Sequence, residues 1–150
     1  MKEYLNEARE ELKRADHILY VSLKYTRTVD MIRHMIERLI STFDFLVDYI
    51  LEDLKKKKKI NEIPPNIAIK CELIKKKNND ETIRELVDFY LYLRRLIRAK
   101  YTREREYRKH VTMISNLDNT IINIKIESMY EYFKKTKDYV DYLQNLSERK

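Results

Sequence analysis

From position 29 the apolar residues Val29, Ile32, Ile36, Leu39, Phe43, Leu46 and Ile50 recur at steps of three and four without a fault. That spacing lays one stripe along a helix of 3.6 residues per turn and predicts a helix over about 29–56. Leu5, Ala8, Leu12, Ala15 and Leu19 repeat the pattern, with Lys, Arg and Glu filling the other face, and predict a first helix over about 3–25. The stretch 21–28 between them is rich in β-branched residues and Tyr, and either Thr26 or Thr28 is suited to cap the second helix. No Gly or Pro enforces a break there, so one long bent helix is the alternative.

A loop over 61–65 contains the only prolines, Pro64 and Pro65, and Asn66 can cap a short helix to about 75. After Asn78-Asn79, Asp80 is an N-cap for a third long helix over about 81–101, with Ile83, Leu86, Val87, Tyr90, Leu93 and Ile97 as its stripe. A charged tail follows: Arg98, Lys100, Arg103, Arg105 and Arg108. The pattern then changes. Ile122, Ile124 and Ile126 alternate with Asn123 and Lys125 beyond an Asn/Asp-rich turn, which predicts a β-hairpin over about 111–126. A lone hairpin is marginal in water, so it must pack on the helices or pair with another chain. Ser128, with Glu131 three residues on, has capping-box spacing and is expected to open the last helix, which buries Met129, Phe133, Val140, Leu143 and Leu146. The tail 147–150 is expected to fray. The expectation is a single domain over 1–150, mainly α: an up-and-down bundle of four to five helices with one small β-hairpin.

Composition supports that class. The chain has no Gly, and a sandwich or barrel normally needs glycine for its tight turns. The formal charge is +7. Such a balance permits contact with nucleic acid or an anionic surface; 32 basic and 25 acidic residues can equally form a mixed, solvated surface. The five lysines at 55–59 fall where a helix C-terminus favours cations, and a phosphate-contacting patch is the other reading. Cys71 is the only cysteine, which rules out an intrachain disulfide and a multi-thiolate metal site. No apolar run approaches the ~18 residues of a membrane span, and the N-terminus lacks a signal-peptide core. The expected compartment is cytoplasmic, with no membrane partner.

The candidate chemistry is sparse. His17, His34 and His110 are never four apart, and Arg14, Met31 and Tyr107 stand where a Glu-x-x-His motif needs Glu. No metal and no cofactor is implied. What remains is Arg103-Glu-Arg105-Glu-Tyr-Arg-Lys-His110, containing Arg105-x4-His110 and Arg103-x6-His110. Here the chain resembles the HEPN superfamily of helical bundles, which carry an R-x(4-6)-H motif late in a domain of similar length and layout. The resemblance implies a homodimer whose Arg and His residues line one cleft and, in active members, cut RNA without metal. His110 would then exchange a proton with the ribose 2′-OH or the leaving oxygen, and Arg105 would clamp the phosphate. Arg103 and Arg108 would contact further phosphates, and Tyr107 would stack on a base. Two features depart from the family pattern. His110 leads into a predicted strand where the family has a helix, and Arg27-x6-His34 repeats the spacing inside a core-forming helix. The competing reading is a non-enzymatic helical interaction or dimerisation module with a solvated Arg-His face. Tyr130, Tyr132, Tyr139 and Tyr142 on the last helix either fill a core edge or form a stacking platform.

Overall fold

The computed structural model describes residues 1–149. Helices dominate: α1 (Lys2–His17), a π-helical turn (Ile18–Ser22), α2 (Leu23–Tyr25), α3 (Val29–Lys56), α4 (Ile67–Lys77), α5 (Glu81–Arg98) and α6 (Ile126–Glu148). Three strands, β1 (Lys100–Glu104), β2 (Thr112–Leu117) and β3 (Thr120–Ile124), form an antiparallel sheet in that order. The expectation of fraying over 147–150 bears on α6, which remains helical to Glu148, and on Lys150, which lies outside the described residues.

Central in the bundle is α3, packed against α1, α4, α5 and α6. Its whole predicted stripe is buried. Phe43, fully enclosed, meets Phe89 and Tyr90 of α5 and Tyr139 of α6 at centroid distances of 5.6, 5.9 and 6.0 Å. The contacts with Phe89 and Tyr139 are edge-to-face and that with Tyr90 is tilted, and such ring pairs add to the area they bury. The first and second predicted helices are separate. Thr28 is extended at its backbone, and its Oγ1 accepts from Met31 N at 3.1 Å, so it caps α3 and Thr26 does not. Asn66 and Asp80 cap α4 and α5 in the same way.

The lysine run closes α3. Lys59 N donates to Leu54 O and Lys58 N to Lys55 O, both at 3.0 Å, with Lys58 left-handed at φ 61°. This is a Schellman ending with lysine where glycine is usual.

Three boundaries differ from expectation. The third long helix stops at Arg98, because Ala99 turns extended (ψ 152°) and 100–104 pair with β2 instead of continuing the helix. The predicted hairpin is β2–β3, turning through Asp118 and Asn119 at φ 49° and 68°, a pairing that suits a two-residue turn. It is joined by β1, which the sequence pattern did not reveal. The last helix opens at Ile126. Ser128 is its third residue, and its Oγ accepts from Lys125 N at 3.0 Å, so the serine reaches back to the cap position and is not itself the cap.

Met113, Ser115, Leu117 and Ile124 are buried against the helices. Arg33 of α3 covers Tyr101, its Cζ 4.1 Å from the ring centroid, and donates to Ile97 O at 3.0 Å. The two sheet edges are unlike. β1 carries Lys100, Arg103 and Glu104, whereas β3 is uncharged from Thr120 to Ile124 and leaves Ile121 61% exposed.

Candidate nucleic-acid interface

The β1–β2 connection, 105–111, carries the Arg-His spacing and must turn without glycine. It uses Arg105 at φ 56° and Tyr107 at φ 65°. Left-handed backbone is unfavourable for side chains of this size and needs outside support. That support comes from the start of α3, some eighty residues earlier. Glu106 Oε2 accepts from Val29 N at 2.9 Å, and Tyr107 N donates to Arg27 O at 2.6 Å. Within the loop, Arg108 N and Val111 N donate to Arg105 O and Arg108 O, and Thr112 Oγ1 donates to His110 O. Val111, fully buried, pins the far end.

Arg103 is committed to this docking. Its Nη1 lies 2.8 Å from Asp30 Oδ1 and 3.4 Å from Glu106 Oε1, and its Nη2 donates to Tyr101 OH at 3.3 Å. The Asp30 hydrogen bond, foremost, raises the pKa of this already basic group. Arg103, expected to contact phosphate, is thus engaged with Asp30, Glu106 and Tyr101 and positions the loop.

Arg105, Tyr107, Arg108, Lys109 and His110 all point to solvent. Neither Arg105 nor His110 makes a side-chain hydrogen bond or ion pair with another described residue. The motif thus lies in a strand-loop-strand segment, not at the head of a helix. Docking at Arg27 places this loop against the α2–α3 corner, where Lys24 and Tyr25 are also exposed. Tyr25 (82%) and Tyr107 (77%) are the two most exposed large apolar side chains among the described residues. The sequence marks Tyr107, and Arg27 only as part of a second copy of the Arg-His spacing, and gives no sign of Tyr25 or Lys24. Only the tertiary bond between Tyr107 and Arg27 relates them.

The tyrosines of the last helix mostly pack. Tyr139 is buried; Tyr132 OH and Tyr92 OH are 2.6 Å apart; Tyr142 OH donates to Asp80 Oδ2. Among the described residues no group of three or more His, Cys, Asp or Glu is placed to hold a metal ion, and no helix is long and apolar enough to cross a membrane. No family model matches the chain, and no curated protein or solved structure matches it either.

What the corner can do chemically is limited and definite. It offers exposed cations, Arg105, Arg108, Lys109 and Lys24, to a polyanion, and two exposed rings, Tyr25 and Tyr107, to flat ligands. Glu106 is turned to the backbone of α3, and Asp30 is paired with Arg103, whereas Glu104 is exposed.

Proposed function

We propose that this corner binds single-stranded RNA, with Arg105, Arg108 and Lys109 on phosphates and the rings of Tyr25 and Tyr107 stacked on unpaired bases. The observation that carries the reading is Tyr107. It holds a left-handed backbone that Asn or Gly would adopt at less cost, supported by the backbone bond to Arg27 O, yet its ring is 77% exposed. A backbone outlier at an exposed ring, among cations, points to a ligand that uses the ring. Single strands fit better than duplex, because stacking needs splayed bases.

The same loop holds Arg105 and His110, the pair whose spacing resembles the HEPN motif. If the bound strand is also cut, His110 is the proton acceptor and donor at the 2′-OH and leaving oxygen, and Arg105 the electrostatic clamp. For the homodimer that the resemblance implies, the favoured surface is β3. Two-fold pairing sets like against like, which the charged β1 edge resists and the uncharged β3 edge permits. The test is sedimentation velocity: a wild-type dimer that Asn123→Pro abolishes is the expected result, and a wild-type monomer, or a dimer that survives the substitution, would overturn the pairing.

The test of binding is fluorescence anisotropy with a labelled, unstructured RNA, comparing the wild type with Tyr25→Ala and Tyr107→Ala. Stacking worth about 1–3 kcal/mol per base predicts losses of roughly 5- to 150-fold in each variant. Wild-type affinity in both would remove the basis of the reading. Incubation of the RNA in EDTA, with His110→Ala and Arg105→Ala as controls, decides whether binding leads to cleavage.

A further inference from the structure

His17 and His34, which the β1–β2 loop does not involve, open onto one groove between α1, the π-helical turn and α3, of about 610 Å³. Arg14 and His17 line it from one helix, three residues apart; His34 and Arg38 line it from the other, four apart. Those are the spacings that put side chains on one helical face. Four nitrogen-bearing side chains therefore converge from two helices.

The π-turn starts directly after His17. Leu23 N donates to Ile18 O, five residues back, so one extra residue is held in the helix. Such insertions weaken helical bonding and occur mostly as single turns, often at functional sites. Here the wider turn keeps Ile18, Leu19 and Leu23 all buried and leaves Ser22 on the groove wall.

The groove is electrostatically incomplete. Glu11, mostly buried, accepts from Arg14 Nη1 at 2.8 Å and from Arg38 Nη1 at 3.2 Å, so one carboxylate orients two guanidiniums. Glu10 is taken by Lys13 at 3.2 Å. Arg38 Nε is buried and has no acceptor among the described residues. Two guanidiniums sharing one carboxylate, beside two imidazoles, leave donors and positive charge for one more anion. Ile18 and Met31 supply an apolar flank beside them.

We infer that this groove binds a tetrahedral phosphate dianion, free or as a simple monoester. Its oxygens accept from Arg14, Arg38 and the imidazole N–H groups of His17 and His34, and an attached organic group lies along Met31 and Ile18. None of the β1–β2 loop residues takes part, so the site stands or falls apart from RNA binding.

The chain has only three histidines, so the imidazole C–H signals in a proton NMR spectrum report the site directly. Inorganic phosphate, and separately phenyl phosphate, is titrated into the full chain at constant ionic strength, with chloride as the reference anion. The expected result is saturable shifts of the His17 and His34 signals with one common midpoint, and none at His110. Tighter binding of phenyl phosphate identifies a monoester, and tighter inorganic phosphate the free anion. Arg38→Lys, which keeps the charge and the Glu11 contact but loses the fork of donors, should weaken binding at least tenfold; His34→Gln, on the exposed face of α3, should do so if Arg38→Lys fails to fold. Shifts that stay linear in phosphate, that affect His110 equally, or that survive both substitutions would overturn the site.

Discussion

Replacing Glu106 with alanine removes the one side chain that ties the β1–β2 loop to the first free amide of α3. The bond runs from Val29 N to Glu106 Oε2 at 2.9 Å, and the carboxylate is 27% exposed. Loss of a helix cap costs about 0.5–2 kcal/mol, and a negative charge at a helix N-terminus is worth about 0.3–1 kcal/mol where solvent screens it. Thr28 keeps its own bond to Met31 N, and Arg103 keeps Asp30, so the start of α3 does not unravel. A net loss of about 1–2 kcal/mol follows, which for a domain of this size lowers the melting temperature by about 2–8 °C. Glu106→Gln keeps the acceptor and loses only the charge, so it should fall less than half as far. Thermal melts followed by circular dichroism measure both. Amide exchange supplies the local readout: Val29 N–H should be protected in the wild type and exchange freely in Glu106→Ala. If the alanine variant melts with the wild type and Val29 stays protected, the loop is not held as described, and the placement of Arg105 to His110 on the α3 corner fails with it.

Other consequences are independent of that loop. Lys58 occupies the left-handed C′ position of α3 at φ 61°, so Lys58→Gly should stabilise the chain by about 0.5–1 kcal/mol, read as a higher denaturation midpoint; a lower one would deny the Schellman ending. Burial, chiefly, raises the pKa of Asp44, against the hydrogen bond from Tyr90 and the charge of Arg94. A raised carboxyl pKa contributes stability that is full below the ordinary carboxylate range and lost as pH rises through the folded-state value. Asp44→Asn still accepts from Tyr90, so its melting temperature should gain on that of the wild type as pH rises from about 3.5 toward neutrality, and a pH-independent gap would contradict the shift. Cys71 is 1% exposed and its thiol pKa is pushed up to about 11, first by burial. Its reaction with a disulfide reagent at pH 8 should be at least about 100-fold slower in the folded chain than in denaturant, and comparable rates would place the thiol at the surface.

The parts of the fold legible in the sequence are those whose signal is local. Helix α3 announces itself through its unbroken stripe and through Thr28; α5 through Asp80 and its apolar face; the β2–β3 hairpin through alternating isoleucines around Asp118 and Asn119. Strand β1 has no such signal. Only Tyr101 is even partly buried, so no apolar alternation appears, and its pairing with β2 shows only in the folded chain. The π-turn is hidden because an extra residue leaves the stripe of α1 intact up to Leu19. Ser128 misled because its hydroxyl can bond forward from the cap or backward from the third residue of the helix, and the sequence does not distinguish the two.

The candidate site divides along the same line. Arg105, Tyr107, Arg108 and His110 were visible as a motif, and all prove exposed. That Arg103 braces the loop, that Glu106 caps a helix 77 residues earlier and that Tyr107 is bonded to the backbone of Arg27, two residues beyond Tyr25, depend on tertiary closure. No spacing rule reaches that far. The groove at His17 and His34 was hidden for the same reason: its two faces come from different helices.

The most direct test of the account is the salt dependence of RNA binding by the wild type and by an Arg105→Ala, Arg108→Ala, Lys109→Ala triple variant. Each phosphate contact on a single strand contributes about 0.7 to the slope of log K against log salt. Salt-sensitive wild-type binding is expected, with a slope smaller by about 2 in the variant. No binding by the wild type, or an unchanged slope in the variant, would contradict it.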